Sequence, residues 1–453
     1  MKKLLAVLLT LILATVLIAC GGNDAPADTN DGAADPVQEQ EENDGEEALP
    51  EAEQDPVADG IEEGAELIFW SMWSEVEPQA IAIRAAADAF TESTGVPVHI
   101  NFNGRQGQRE GLAPALAAGE TIDIFDEDVD RVIGQWGEHL LPLDDFVNDS
   151  FSDTDGQIYK DLLNPTAIEL VRARGDGSYL VVPYQPFIFT TQFNRDLFEE
   201  AGIDSVPATW DEFLEVCQAL VDAGITPLTV DNAYMPANFG MILVRIAGSE
   251  RTLEIFDNQE FDDPAVLRAA EVLEELITRG FISPMAATNV FPEGQAGEFA
   301  METVAMNLNG TWLPNELREL NPDMNWGSFP WPAIDPGGSG TEANNASSQS
   351  LGIHINTEYP NAAFAFLRWL TLGYWDQYIA DATWGVPVAS AAVWPEQLAD
   401  ARVAFEGTTD VLTWAAGAEN DPNVTAAIIE GFQRMVAGTI DAQEFVDSLI
   451  ALN

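Results

Sequence analysis

The chain has 453 residues, and its 76 aspartates and glutamates against 18 lysines and arginines give a formal net charge of −58 at pH 7. A surface this acidic is a poor partner for nucleic acids and other anionic polymers, so we expect no nucleic acid ligand. We interpret the acidity as a solvated surface, adapted to a salty medium or typical of the lineage, rather than as an acidic cluster for a cationic substrate.

The first twenty residues predict a cleaved secretion signal. Lys2 and Lys3 precede an apolar run over residues 4–19, which is shorter than the roughly 20 residues of a membrane span. The run ends in Leu-Ile-Ala-Cys at 17–20, which resembles the bacterial lipobox. The resemblance implies that Cys20 is lipidated and anchors the protein to the outer side of a cell membrane, at the cell surface or in a periplasm. An ordinary signal peptide with an incidental cysteine is the alternative.

Residues 21–66 predict a disordered, acidic tether. They contain seventeen aspartates or glutamates, no lysine or arginine, and almost no large apolar side chains. Such a segment cannot bury enough apolar surface to offset the entropy of ordering, and its charges repel one another. We expect it to hold the folded part, residues 67–453, away from the membrane; that part is long enough for two lobes.

From residue 67 onward, apolar runs of strand length alternate with amphipathic stretches. This alternation predicts an α/β architecture with a mainly parallel sheet. Strand-like runs cover 66–70, 96–102 and 122–125, and helix-like stretches cover 79–90, 112–118 and 129–136. Residues 179–189 predict a strand pair broken by Pro183 and Pro186, where a hinge could lie.

Three later helices carry start and stop signals. Thr209 and Glu212 form a capping-box pattern before the apolar stretch 213–221. Two other helices begin with proline and stop at glycine, an asymmetry typical of helix ends. These are the stretches from Pro264 to Gly280 and from Pro360 to Gly373.

The cysteines and the acidic motif at 126–130 argue against several kinds of site. If Cys20 is lipidated, only Cys217 remains, so we expect no intrachain disulfide and a buried thiol rather than a nucleophile. Acids at 126, 128 and 130 match the start of a calcium loop, but Arg131 stands where glycine is required. We therefore expect no metal site and no cofactor.

Several segments match one family in sequence and in order. They read Leu-Ile-Phe-Trp-Ser-Met-Trp at 67–73, Leu-Ala-Ala-Gly-Glu-Thr-Ile-Asp-Ile-Phe at 116–125, Phe-Asn-Arg-Asp-Leu-Phe-Glu-Glu-Ala-Gly-Ile at 193–203, Pro-Ala-Thr-Trp-Asp-Glu at 207–212, Val-Ala-Met-Asn-Leu-Asn-Gly-Thr-Trp at 304–312 and Pro-Trp-Pro at 330–332. Together they resemble the extracellular solute-binding proteins of ABC importers, family 1, the group that includes maltose-binding protein. Ile122 stands where proline is usual, and Phe193 where tyrosine is usual.

The resemblance implies two α/β lobes, joined by crossing strands, that close on a ligand by hinge motion. By analogy, residues 67–182 plus 347–386 form one lobe, and residues 183–346 plus 387–453 form the other. It also implies a monomeric receptor, not an enzyme, that delivers a carbohydrate to the transmembrane subunits of a permease.

A neutral sugar presents apolar ring faces and many hydroxyl groups, so its site needs aromatic platforms together with polar side chains. Trp312, with Asn309 before it, falls where the family commonly places a stacking tryptophan. The other candidates lie in loops after predicted strands, at the hinge, or where an acidic and basic pair contacts sugar in the maltose-binding branch. They are Trp73, Glu75, Gln106, Asp130, Arg131, Tyr184, Trp331 and Trp384. For each, the alternative is core packing, helix capping or surface pairing.

Two other functions stay open from the residues alone. A lipid-anchored glycoside hydrolase or lyase would also need cleft tryptophans, together with a pair of carboxylates that spacing cannot identify among so many acids. The same fold could instead bind a polyamine or another cation. Our interpretation is a receptor for a sugar or oligosaccharide.

Overall fold

A computed structural model describes residues 60–452, so the predicted signal peptide, Cys20 and most of the predicted tether lie outside the described residues. The strands are β1 (Leu67–Ser71), β2 (Val98–Phe102), β3 (Ile124–Asp128), β4 (Val182–Asn194), β5 (Thr226–Thr229), β6 (Val304–Gly310), β7 (Trp326–Phe329), β8 (Ala343–Ile353) and β9 (Asp410–Leu412).

Helices surround these strands. They are α1 (Pro78–Thr94), α2 (Gly104–Ala118), α3 (Val129–Trp136), α4 (Asp144–Val147), α5 (Pro165–Arg174), α6 (Arg195–Glu200), α7 (Trp210–Asp222), α8 (Met235–Ala247), α9 (Ser249–Asp257), α10 (Pro264–Thr278), α11 (Glu293–Ala300), α12 (Leu313–Leu317), α13 (Pro360–Thr371), α14 (Gly373–Thr383), α15 (Ala399–Glu406), α16 (Pro422–Val436) and α17 (Ala442–Ile450). Short 3-10 helices cover Gly137–His139, Ser152–Thr154, Tyr159–Leu162, Pro284–Ala287, Glu396–Leu398 and Ala418–Asn420. The predicted α/β class is confirmed.

The sheet has the strand order β2-β1-β3-β8-β4-β6-β5, with β7 paired to β4 and β9 paired to β8. β1 is parallel to β2 and β3, and β5 is parallel to β6. β8 is antiparallel to β3, whereas β4 is antiparallel to β8, β6 and β7. β8 is parallel to β9. The prediction of a mainly parallel sheet is nevertheless wrong, because β4 is antiparallel to all three of its partners and β8 is antiparallel to β3 and β4.

β4 and β8 connect the two ends of the sheet. β4 pairs with β8 over residues 182–188 and with β6 over residues 189–193, and β8 pairs with β3 over residues 349–353. We call the region around β1, β2 and β3 the first lobe, and the region around β5, β6 and β7 the second lobe. The lobe boundaries at 182, 346 and 386 stay a prediction.

The predicted break at Pro183 and Pro186 is absent, since β4 is one buried strand of 13 residues. A bulge absorbs the irregularity: Pro183 lies opposite Ser350, and Gln185 lies opposite Gln349. Tyr184 is thus the extra residue. Proline is tolerated at a bulge because its missing backbone N–H removes no regular ladder bond there.

The helix-end signals are confirmed where the chain is described. Glu212 N donates to Thr209 Oγ1 (3.4 Å) and the Glu212 carboxylate accepts from Thr209 N (3.1 Å), which is the capping box at the start of α7. Pro264 and Pro360 are the first residues of α10 and α13. Cys217, on α7, is a fully buried free thiol, and burial raises its pKa.

The chain contacts the first lobe slightly before Leu67. The Glu62 carboxylate accepts from the backbone N of Asn361 (2.9 Å) and Ala362 (3.0 Å) in the first turn of α13, and Ala65 is buried. An acidic group there is favourable, because the first amides of a helix lack intrahelical acceptors. The last residues of the predicted tether therefore pack against the folded part.

Among the helices of residues 60–452, none combines the length and apolar character needed to cross a bilayer. Within the same range, no three His, Cys, Asp or Glu side chains group closely enough to hold a metal ion.

Candidate functional site

A cavity of about 870 Å³ lies where β4 and β8 pass between the two lobes. Met72, Trp73, Arg105, Asp128 and Arg131 line it from the first lobe, and Phe189, Tyr234, Trp312, Glu316 and Trp414 line it from the second. Side chains of β8 complete the floor. Its size is within the range of about 300–1,000 Å³ typical of small-molecule sites.

Aromatic rings form the wall on the second lobe. The Trp312 and Trp414 indoles are nearly parallel, with an interplanar angle of 21° and centroids 6.2 Å apart. Phe189 meets both rings edge-on, at 5.0 Å from Trp312 and 4.4 Å from Trp414, and Phe187 meets Trp312 at 5.3 Å. Both indoles are partly exposed. This arrangement offers a braced aromatic surface to a ligand with an apolar face.

The sequence around Trp312 explains how its indole is held. β6 ends at Gly310, and Trp312 then caps α12. Trp312 Nε1 donates to Tyr234 Oη (3.1 Å), whose hydroxyl donates to Asn309 Oδ1 (3.0 Å). Asn309 Nδ2 donates in turn to Glu316 Oε2 (3.0 Å). Asn309 is fully buried, so in this structure it supports the tryptophan from behind and does not line the cavity.

Gly310 has a steric role beside that indole. A Cβ built at position 310 would lie 2.6 Å from Trp312 Cε3 and closer still to Cζ3 and Cη2. Only glycine leaves room for the ring in its present position, which is a physical reason for the Asn-Gly-x-Trp pattern.

Acidic side chains line the opposite, first-lobe wall. Glu127 is paired with Arg109 through two contacts of 2.8 and 3.0 Å, and Arg131 Nε lies 3.9 Å from it. Among residues 60–452, no cation lies within ion-pair distance of Asp128; its carboxylate accepts from Ser347 Oγ (2.9 Å) and from Asp130 N (3.0 Å). Burial, followed by the neighbouring Asp130 charge, raises the pKa of Asp128.

Two further carboxyl groups extend this acidic character. Asp130 is paired with Arg174 at 2.5 Å, yet burial still raises its pKa. Glu316, on α12 beside the aromatic wall, is removed from water, which raises its pKa to about 7. Carboxylates accept two or more hydrogen bonds each, so the cavity can receive hydroxyl or ammonium donors.

Four of the candidate residues line the cavity together: Trp73, Asp130, Arg131 and Trp312. Trp73 is only 4% exposed, and the Arg105 guanidinium lies over its ring at 4.7 Å from the centroid. One face of that indole is therefore already covered. Tyr184 is 2% exposed and lies behind Trp73, outside the lining.

The other candidates do not line the cavity. Glu75 is exposed, and Gln106, also exposed, donates to Glu110 Oε1 (2.9 Å). Trp331 is 2% exposed and packs against Phe213 (5.3 Å). Trp384 ends α14 with φ of 49°, and the Arg318 guanidinium lies 4.4 Å from its ring centroid. A binding role for any of the ten residues stays a prediction.

Several lining residues were missed by the sequence reasoning, above all Trp414, Phe187 and Phe189. Trp414 lies two residues after β9, a position of the kind that drew attention to Trp73. Asn345 of β8 holds the Trp414 segment, since its Nδ2 donates to the carbonyl oxygens of Thr413 (2.6 Å) and Trp414 (3.1 Å). The phenylalanines alternate along β4, but nothing local indicates which face of that strand meets a cavity.

The fold is that of a two-lobed solute-binding protein. A family model described as "Bacterial extracellular solute-binding protein" matches residues 73–372, and the chain belongs to this family. The family and the structurally similar proteins are binding proteins rather than enzymes.

Relatives and solved structures agree with this assignment. A binding protein of Brucella abortus (strain 2308) is 26% identical over 246 residues, 52% of this chain and 54% of that protein. The multiple sugar-binding protein of Streptococcus mutans serotype c (strain ATCC 700610 / UA159) is 22% identical over 222 residues, 47% of this chain and 51% of that protein. The chain thus spans about half the length of these curated relatives.

Among solved structures, a chitin oligosaccharide binding protein superimposes with a TM-score of 0.66 at 22% identity, covering 86% of this chain and 98% of that one. A solute-binding protein in complex with raffinose gives a TM-score of 0.64 at 19% identity, covering 85% and 98%. At these identities the likeness concerns the fold.

Proposed function

We propose that the protein is the extracytoplasmic receptor of an ABC importer, which binds a sugar or oligosaccharide in the cavity and delivers it to the permease. The observation that carries this proposal is the parallel pair Trp312 and Trp414, with its Phe189 brace, facing carboxylates across one cavity. Apolar ring faces of a sugar suit the indoles, and its hydroxyl groups suit the carboxylates. The sugar-related names of the similar proteins support the same ligand class.

The anchoring part of the proposal rests on sequence. Lys2, Lys3, the apolar run and the lipobox-like residues 17–20 support export and acylation of Cys20, and the acidic segment after it supports a tether. Mass spectrometry of the mature protein from membranes tests this directly. A diacylated or triacylated peptide starting at residue 20 is expected, and an unlipidated N-terminus elsewhere contradicts the anchor.

A thermal-shift screen in moderate salt tests the ligand class. The chain after residue 20 would be screened against mono- and oligosaccharides, glycerol phosphates, polyamines and amino acids. A ligand that binds only the folded state stabilises it by about 2.7 kcal/mol at one hundred times its dissociation constant, so a true ligand stands out. The sugar is then recovered and analysed, because new reducing ends or unsaturated products would identify an enzyme instead of a receptor.

A second candidate ligand is one that carries an amine, such as an amino sugar or a polyamine. The lining contains six carboxyl groups, from Glu77, Glu127, Asp128, Asp130, Glu316 and Glu419, but three guanidinium groups, from Arg105, Arg109 and Arg131. All three guanidinium groups already lie near lining carboxylates. Asp130 is paired with Arg174, so the acids that favour a positive group on the ligand are Asp128, Glu316 and Glu419.

The two candidates differ in salt and charge dependence. An amino sugar should bind more tightly than its neutral parent at low salt, and the difference should shrink as salt screens the charges. Equal affinities for the two sugars, with no effect of salt, would leave only the neutral sugar proposal. Binding of polyamines without any sugar would replace it.

A further inference from the structure

Tyr184 is the bulged residue of β4, at the point where this strand passes between the lobes. A bulge leaves one residue unpaired in the ladder and re-aims its side chain. The Tyr184 side chain is 2% exposed and points into the first lobe, toward the ends of β1 and β3. It therefore connects a strand shared by both lobes with the interior of one of them.

The hydroxyl group of Tyr184 takes part in two hydrogen bonds. It accepts from Trp73 Nε1 (2.6 Å) and donates to Asp126 Oδ2 (2.8 Å). Asp126 is fully buried and is itself held by Met72 N (2.7 Å) and Ser71 Oγ (3.1 Å). Asp126, which accepts from the Tyr184 hydroxyl, is thus fixed by groups of the first lobe.

Trp73 carries this arrangement to the cavity wall. Its indole lines the cavity, and the Arg105 guanidinium lies over the ring at 4.7 Å. Arg105 Nη1 is bonded to Glu77 Oε1 (2.8 Å), and both side chains also line the cavity. The position of the indole therefore sets the position of a charged pair that a ligand would meet.

We propose that Tyr184 is a positioning residue of the binding site, whose hydroxyl holds Trp73, and through it Arg105, in place at the cavity wall. This inference rests on the proposed function. Tyr184 does not touch the ligand; it determines the wall that the ligand contacts. Because the residue belongs to β4, the first-lobe wall is tied to the strand that continues into the second lobe.

Tyr184→Phe tests the proposal, with Tyr159→Phe as the matched control. Tyr159 is also fully buried, its hydroxyl bonds to Thr371 Oγ1 (2.6 Å), and neither residue lines the cavity. Each variant removes one buried hydroxyl group and keeps the ring. For the saccharide found by screening, Tyr184→Phe should weaken binding about three- to tenfold, and Tyr159→Phe should change it less than about twofold.

A ligand-free measurement separates this inference from the proposed function. In protein labelled with fluorotryptophan, the ¹⁹F resonance assigned to Trp73 through Trp73→Phe should shift in Tyr184→Phe and stay in place in Tyr159→Phe. If the wild type binds no saccharide, the proposed function fails, and this resonance still decides whether Tyr184 holds Trp73. An unshifted resonance, or unchanged saccharide affinity in Tyr184→Phe, overturns the inference. If Tyr184→Phe does not fold, Asp126→Asn, which keeps both rings and removes the carboxylate that accepts from the Tyr184 hydroxyl, should shift the same resonance, and an unshifted resonance there overturns the inference.

Discussion

A single methyl group at Gly310 should displace the Trp312 indole without removing it. The backbone of Gly310 is outside the left-handed region, so alanine can adopt it, but the new Cβ would lie 2.6 Å or less from three indole carbons. Nonbonded carbons prefer about 3.5–4.0 Å, so the ring must move by about 1 Å. Phe189 and Trp414 confine it on other sides, at centroid distances of 5.0 and 6.2 Å.

The expected result for Gly310→Ala is a loss of saccharide affinity of about tenfold or more. Forcing a methyl group into a packed site costs about 1–3 kcal/mol, and 1.4 kcal/mol corresponds to a factor of ten in binding. Isothermal calorimetry measures the affinity for the saccharide. Urea unfolding measures how much the variant lowers the free energy of unfolding.

The matched control is Gly297→Ala in α11, also in the second lobe. A Cβ at position 297 meets nothing within 4 Å, so this variant should keep wild-type affinity and gain up to about 1 kcal/mol of helix stability. If Gly310→Ala binds the saccharide as tightly as Gly297→Ala, the position of the Trp312 indole does not matter for binding. The assignment of the aromatic wall would then be refuted.

Three further predictions concern the wall and the buried charges. Trp414→Ala removes the indole parallel to Trp312. If stacking on sugars resembles stacking on bases, this variant should bind the saccharide about ten- to hundredfold more weakly. Calorimetry measures the affinity, and an unchanged value contradicts the prediction. Burial raises the pKa of Asp376 to about 7, so the folded state binds more protons than the unfolded state between about pH 4 and 7. The free energy of unfolding should therefore fall as pH rises through this window, with a contribution from Asp376 of up to about 4 kcal/mol. In urea unfolding at high salt, Asp376→Asn should make the free energy of unfolding depend less on pH. An unaltered pH dependence in this variant contradicts the prediction. Arg368 and Asp153 form a buried ion pair at 3.1 Å. Arg368→Met leaves the Asp153 charge unpaired and should lower the free energy of unfolding by about 3–5 kcal/mol in the same assay, and adding Asp153→Leu should restore part of the loss. An Arg368→Met variant as stable as the wild type contradicts this.

The α/β class and the helix ends could be predicted because they depend on local chemistry. A capping box needs only two suitable residues three positions apart at the start of a helix. Thr209 and Glu212 have this spacing, so their capping box can be predicted from the sequence alone. Strand direction is different, since it depends on which distant strand lies alongside. The antiparallel course of β4 and β8 joins residues more than 150 positions apart, and nothing near Pro183 indicates it.

The candidate site, too, could be predicted only in part from the sequence. Trp312 was found because Asn309 and Gly310 precede it, and the structure gives both a role in holding the ring. Trp414 was missed because its position depends on the pairing of β9 with the start of β8 and on the Asn345 amide. Tyr184 was expected to meet the ligand, whereas its bulge turns it behind Trp73, a geometry that no residue pattern reveals.

The burial of Cys217 makes the protein convenient as an optical sensor. It is the only cysteine between residues 60 and 452, and its thiol is out of reach of a maleimide dye. A cysteine introduced at Val76, which is 84% exposed and three residues after Trp73, would be the sole accessible thiol of that part of the chain. A fluorophore attached there would be next to Glu77, which lines the cavity, so its emission can report each arriving ligand without labelling the sugar.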